Sequence, residues 1–166
     1  EKKTELDFFP TCSKETWKKR QELLGRVRRF FEQRSVLEVE TPVLSHACGT
    51  DPNLDYFKTQ GAQTRYLMTS PEFHLKRLLA SGFGDVYAIA RSFREDETGE
   101  RHNPEFTMIE WYASYWNFED NIKFYTKFIR ELVTFMLGKP EIVIGDKSFV
   151  LPEEFRPRFG KTRVNL

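Results

Sequence analysis

The stretch VYAIARSFREDETGERHNPEFTMIEWYASYW (Val86–Trp116) decides the reading of this chain. Two strand-like runs flank a charged loop. The first is Val86 to Phe93. The loop, Arg94 to Pro104, holds four acids, two arginines, a histidine and a glycine. The second run, Glu105 to Trp116, is rich in aromatic and other β-favouring residues.

Side chains alternate between the faces of a strand. Phe106, Met108, Glu110 and Tyr112 therefore share one face of the second run. Thr107, Ile109, Trp111 and Ala113 share the other, which has ordinary core character. The first face sets a carboxylate between Met108 and Tyr112. An unpaired buried carboxylate costs several kcal/mol, roughly. Glu110 is thus expected to be paired with a Lys or Arg, hydrated, or reserved for a cationic ligand.

Upstream, Ser13 can cap a helix running to about Arg34. Trp17, Leu24, Val27 and Phe31, with Leu23 and Phe30 beside them, form its apolar stripe. Lys18, Lys19, Arg20, Arg26, Arg28 and Arg29 line the rest, as a solvated face in preference to an RNA-binding patch. Val36 to Val39 reads as a short strand ahead of Pro42, and Ser45 to Asn53 as a turn-rich connection. Arg65 to Thr69 reads as a strand. A helix follows, with Ser70 at its N-cap, Pro71 at its first position, Glu72 in its first turn and Gly82 past its end. Downstream, a helix from about Asn117 to Leu137 is apolar on more than one side and is expected to pack deeply. Gly138 and Pro140 stop it. A hairpin follows, Glu141 to Ile144 and Ser148 to Leu151, turning at Gly145-Asp146-Lys147.

The chain of 166 residues is long enough for one domain with a real core, and 39% hydrophobic and 15% aromatic content marks it as globular. A net charge of +1 gives no global field to gather nucleic acid. Cys12 and Cys48 make neither a disulfide framework nor a metal-ligand spacing, which suits a cytoplasmic protein. No apolar run reaches membrane-spanning length, so no membrane partner is expected. Gly160-Lys161-Thr162 resembles the end of a phosphate-binding loop, but Phe155 stands where that motif needs glycine.

FRED (Phe93–Asp96) followed by RHNPEFTMIEWY (Arg101–Tyr112) resembles motif 2 of the class II aminoacyl-tRNA synthetases, in the form used by lysyl-tRNA synthetases and by their paralogue, the elongation factor P lysine ligase. The helix, short strand and Pro42 resemble motif 1, and TSPEFHLKRLL (Thr69–Leu79) is similar to the family's TSPE segment. The resemblance covers roughly residues 13 to 137. It implies an α+β fold, an antiparallel sheet flanked by helices. Residues 1–12 are then an arm and 13–166 a partial catalytic domain, its N-terminal half, with motifs 1 and 2 and no motif 3 before Leu166. On its own, this stretch is expected to have little or no ligase activity.

The resemblance also implies a chemistry. A carboxylate attacks the α-phosphorus of ATP to give an acyl-adenylate and pyrophosphate. Arg94 matches the motif 2 arginine and would be the catalytic residue, stabilising the α-phosphate; the alternative is a structural salt bridge to Asp96 or Glu97. Glu95, Asp96 and Asn103 fall where the family contacts ATP, though the family usually has Glu at the Asp96 position. Arg101 and His102 would lie over the outer phosphates, and Phe106 would stack on adenine or serve only as a core aromatic. Ser70, Pro71, Glu72, Glu110 and Tyr112 would bind the amino-acid substrate. Glu72 would receive its α-amino group, or merely complement the helix dipole, while Glu110 and Tyr112 would take a second ammonium. Phe30 and Pro42 would lie at a homodimer interface formed through motif 1. Magnesium is expected as a cofactor, with ligands outside this chain, and no residue here is read as a metal ligand.

Lysyl-tRNA synthetases typically carry Gly-Gly-Ala and Arg-Pro-Phe near the turn-rich connection. This chain has Gly49-Thr50-Asp51 and then Leu54 to Thr59, and few residues ahead of motif 1. Both features favour transfer of lysine or β-lysine to a lysine of elongation factor P. The alternatives are a lysyl-tRNA synthetase fragment acting on tRNA-Lys and a non-catalytic dimerising paralogue.

Overall fold

The computed structural model describes residues 12–95, 99 and 102–153. The chain divides into two compact units, one of Phe31–Asn117 and one of Glu1–Phe30 with Phe118–Leu166. The fold is α+β. Among the described residues no helix is long and apolar enough to cross a membrane.

The Phe31–Asn117 unit is built on the two runs quoted above. They form β4 (Val86–Phe93) and β5 (Glu105–Tyr112), antiparallel and paired along their whole length. Their register sets Val86 opposite Tyr112, Ala88 opposite Glu110, Ala90 opposite Met108 and Ser92 opposite Phe106. Opposed residues share a face. Small residues of β4 therefore lie beside the large ones of β5 on the face that carries Glu110. β5 ends at Tyr112 and does not continue to Trp116. Tyr115 there takes a positive φ of 67° and is fully exposed, and the Ser114 N–H donates to the Asp85 carboxylate at 2.7 Å, which turns the chain out of the sheet.

β1 (Leu37–Glu38) lies on the other side of β4, and it runs parallel. The sheet, in order β1-β4-β5, is therefore mixed, where an antiparallel one was expected. The reason is the connection. β1 reaches β4 through a long excursion containing α2, and only such a crossover can return the chain in the same direction. That excursion also forms a second, small sheet, β2 (Leu44–Ser45) antiparallel to β3 (Tyr66–Leu67).

α2 (Glu72–Ala80) begins as its sequence dictates. Ser70 Oγ accepts the Glu72 N–H at 3.0 Å, and Pro71 already has helical φ and ψ. Ser70 is thus the effective cap, one residue ahead of the position that a hydrogen-bond definition of the helix start would assign. Gly82, at φ 82°, closes the other end by donating to the Leu79 carbonyl. Leu75 on the inner face is fully buried and packs with Val86 and Ala88, with Val39, Ala90 and Tyr112 around them. On the opposite face of the sheet, Phe31 stacks on Tyr87 at 4.1 Å and meets Trp111 at 5.8 Å.

The other unit holds the bulk of α1 (Lys14–Glu32), then α3 (Phe118–Leu137) and the hairpin β6 (Glu141–Ile144) and β7 (Lys147–Val150). Ser13 Oγ accepts the Thr16 N–H and caps α1. Phe30 is fully buried between Phe124 and Phe128, with ring centres 5.1 and 5.0 Å away. Packed inside its own unit, Phe30 offers no surface to a second copy, contrary to the interface role expected for it. Pro42 is exposed. Two further expectations are corrected here. Trp17 lies more than half exposed, and α3 buries Phe124, Thr126 and Phe128 while Tyr125, Phe135 and Leu137 stay exposed. Of the basic set, Arg26 pairs with Glu131 at 2.9 Å, and Lys18, Lys19, Arg28 and Arg29 are exposed.

Leu75 sets how firmly α2 rests on the sheet. Leu75→Ala is expected to lower stability by roughly 2–5 kcal/mol, the range for a truncated core leucine. A urea titration should show this as a lower midpoint with an unchanged slope.

Candidate functional site

The start of α2 faces the middle of β5 across a cavity of about 530 Å³, and every residue lining it belongs to the Phe31–Asn117 unit. One wall is Thr69, Ser70, Glu72 and Phe73 at the helix start. Another is Met108 and Glu110 of β5, with Arg94 just past β4. The third is the connection that carries Gly49, Thr50, Asp51, Leu54 and Tyr56.

Glu110 sits in the middle of this arrangement. Ser70 Oγ donates to its Oε2 at 2.6 Å, and the Tyr112 hydroxyl donates to its Oε1 at 2.9 Å. Both donors are neutral. Among the described residues Glu110 forms no ion pair. Each oxygen thus accepts one hydrogen bond from a neutral donor. Ser70 performs two tasks with one hydroxyl, accepting from Glu72 N–H and donating to Glu110.

Tyr112 is a phenol held in its protonated form. Burial raises its pKa well above the ordinary range, and its hydrogen bond to Glu110 and the charges of Glu110 and Glu72 add to the rise. A tyrosinate there would face two carboxylates.

Glu72 lies on the cavity side of the first turn of α2, where Lys76 pairs with it. Pro71 beside it is buried. Arg94 also lines the cavity, and its guanidinium lies over the Phe106 ring, 5.3 Å from its centre. The Arg94 N–H donates to the Pro104 carbonyl at 2.9 Å, which carries the β4–β5 pairing one step into the loop. Glu95 is exposed, its N–H directed to the Asp55 carbonyl. His102 bridges to Gly99 through paired backbone hydrogen bonds, and His102 and Asn103 are both exposed. Asp96 and Arg101 lie outside the described residues.

Of the residues singled out from the sequence, the structure brings Ser70, Glu72, Arg94 and Glu110 to one cavity, with Tyr112 bonded to Glu110 and Phe106 against Arg94. Sequence reasoning missed the third wall. A β-carbon on Gly49 would collide with the Tyr56 hydroxyl and come within 3.2 Å of the Phe73 ring. Gly49 thus packs closely against Tyr56 and against Phe73 of α2, and a side chain there would force one or both to shift. The local signal was a glycine and a proline in a polar run, which marks a turn and says nothing of what the turn packs against.

The described residues contain no group of three or more His, Cys, Asp and Glu placed to hold a metal ion. The donor set of the cavity is instead suited to organic ions: a guanidinium beside an aromatic ring, and two carboxylates.

Comparison with known proteins gives a consistent result. Residues 2–164 match the family described as tRNA synthetases class II (D, K and N), a longer match than the residues 13–137 that carry the motifs. A protein of Vibrio cholerae serotype O1 named elongation factor P–(R)-beta-lysine ligase is 52% identical over 116 residues, which are 66% of this chain and 36% of that protein. Proteins of the same name are 46% identical over 121 residues in Haemophilus ducreyi (69% of this chain, 37% of the relative) and 52% identical over 106 residues in Yersinia enterocolitica (60% and 33%). The chain thus matches about a third of the length of these relatives.

The state of Tyr112 has a measurable consequence. A phenol ionises near pH 10 in the unfolded chain, but Tyr112 keeps its proton in the fold. Its contribution to stability is complete below pH 10 and is lost as the pH rises towards the folded-state value. Between pH 10 and 11.5, stability should fall more steeply for the wild type than for Tyr112→Phe, as read from urea midpoints along the pH series.

Proposed function

The chain belongs to the class II tRNA synthetase family (D, K and N), and from that premise we propose that it is part of an ATP-dependent ligase of the elongation factor P lysine type. The proposed substrate is lysine or β-lysine, activated as its adenylate and transferred to a lysine of elongation factor P. In this reading residues 13–166 are one part of the catalytic domain, carrying motifs 1 and 2 on the mixed sheet. One observation carries the proposal. Glu110 is held by two neutral hydroxyl donors, with no counter-ion among the described residues, in the same cavity as Glu72 and Arg94.

The chemistry follows from this charge arrangement. The substrate has a carboxylate to activate and two ammonium groups. Glu72 at the start of α2 takes the α-ammonium, and Glu110 with Tyr112 takes the second. Attraction at two points fixes the molecule in the cavity and leaves its carboxylate beside Arg94. There, one carboxylate oxygen attacks the α-phosphorus of ATP. A carboxyl–phosphorus mixed anhydride forms, the bond to the β-phosphate bridging oxygen breaks, and pyrophosphate leaves with the electron pair. Negative charge builds on the α-phosphate oxygens as this happens. Arg94, planar and permanently charged, stabilises it and holds the two reactants in line. An amine of the acceptor protein then attacks the acyl carbon, an amide bond forms, AMP leaves and the amine loses a proton.

The residues present fit ATP in type. Phe106 offers a ring face for adenine and Arg94 a guanidinium for phosphate, while Glu95, His102 and Asn103 stand exposed on the loop that would cover the nucleotide. Magnesium is expected to accompany ATP, but the described residues offer no cluster to hold it, and no step is assigned to it. A homodimer formed near Pro42 belongs to the same proposal, as does action in the cytoplasm.

The test is lysine-dependent ATP–pyrophosphate exchange by the full-length protein, with α-lysine and β-lysine side by side, followed by transfer to elongation factor P or to tRNA. Exchange with transfer to the protein acceptor is expected. Arg94→Ala should cut exchange by roughly 10²–10³, as for the loss of one transition-state donor. Glu110→Gln should raise the KM for the amino acid far more than it lowers kcat. Transfer to tRNA alone, or no exchange with either amino acid, overturns the proposal.

A further inference from the structure

The two carboxylates of the cavity are not in equivalent states. Glu110 is held by the neutral hydroxyls of Ser70 and Tyr112. Glu72 already carries a cation: Lys76, one turn further along α2, donates from Nζ to Glu72 Oε1. The same ammonium lies 5.9 Å from the centre of the Tyr112 ring, within cation–π range. Lys76 does not itself line the cavity.

A Glu–Lys pair at this spacing is common on solvated helices, where it supports the helix slightly. Here both partners are partly exposed, 53% for Lys76 and 41% for Glu72. The position sets this pair apart. The carboxylate it neutralises is a wall of the cavity, and the ring beneath it holds the other carboxylate by a hydrogen bond.

We infer that Lys76 is an internal counter-ion of Glu72, which the substrate's α-ammonium must displace on binding. The inference rests on the reading given above, in which Glu72 takes the α-ammonium and Glu110 the second one. Two cations on one carboxylate repel each other, and a partly enclosed site screens that repulsion poorly. Lys76 can yield, because its charge sits at the end of a flexible four-carbon stem and moves without disturbing the α2 backbone. Lys76 therefore weakens the hold on one end of the ligand alone. The opposite role, steadying Glu72 for the ligand, has the opposite sign in the same experiment.

The experiment measures dissociation constants of L-lysine and of 6-aminohexanoate, by calorimetry at low ionic strength on the full-length protein. 6-Aminohexanoate keeps the carboxylate and the far ammonium and lacks the α-amino group. Lys76→Gln is expected to tighten lysine roughly two- to five-fold, the scale of a surface ion pair, and to leave 6-aminohexanoate unchanged. Lys76→Arg, which keeps the charge, should bind both ligands as the wild type does. Lys123→Gln removes an exposed charge from α3 and should change neither. Unchanged or weaker lysine binding by Lys76→Gln, or equal tightening of both ligands, overturns the inference alone. Wild-type protein that binds neither ligand overturns the functional reading, and this inference with it.

Discussion

The arrangement depends on a carboxylate placed on an otherwise apolar strand face. Glu110 would destabilise β5 if it were merely buried there. It is tolerated because two hydroxyls reach it, one from the adjacent helix start and one from its own strand. A hydrogen bond to a charged group contributes roughly 1.5–3 kcal/mol, so two of them offset much of the several kcal/mol that desolvation takes. Both donors are neutral, so neither supplies a counter-charge. An arginine in the same place would have satisfied the strand equally well and left nothing for a cationic ligand. The choice of neutral donors keeps the site open to one.

That requirement reaches into the fold. Ser70 can donate to Glu110 only because α2 begins where it does, and α2 begins there because Ser70 and Pro71 set up its first turn. The helix is held against the sheet by Leu75, packed on Val86 and Ala88. The β4–β5 register places Ala88, and no larger residue, opposite Glu110. The Leu75 contact, the helix cap and the carboxylate are thus linked in one chain of contacts. Disturbing the packing at its base would loosen the hydrogen bond at its tip.

Much of this was legible in the sequence, because period and capping are local properties. β4 runs from Val86 to Phe93 as read, and alternation along β5 correctly put Phe106, Met108, Glu110 and Tyr112 on one face. The start of α2 at Ser70-Pro71 and its end at Gly82 followed from side-chain chemistry alone. What escaped was tertiary. β2 is two residues long and too short to show any period, whereas β3 falls inside the Arg65–Thr69 run that reads as a strand. The parallel placement of β1 depends on where a long connection brings the chain back. The wall at Gly49 exists only because Tyr56 and Phe73 close on it. Trp17 fits the apolar stripe of α1 by spacing, yet lies exposed, since spacing records which face a residue occupies and not whether anything covers it.

The charges of the cavity are what the proposed substrate class rests on. Arg94, Glu72 and Glu110 all line the cavity, so it carries charges of both signs. A simple cation would satisfy the acids and leave the arginine unused. A simple anion would do the reverse. An ordinary amino acid, with one ammonium, could engage one carboxylate and would leave the other desolvated without a partner. A molecule with one carboxylate and two ammonium groups matches all three charges at once. Electrostatic complementarity of this kind acts most strongly through rejection, because each unmatched buried charge costs more than a matched one contributes. Lys76 extends the logic to the empty state. By pairing with Glu72 it leaves Glu110 as the carboxylate with no ion-pair partner among the described residues. The resting site therefore carries a smaller charge imbalance than its two acids alone would impose.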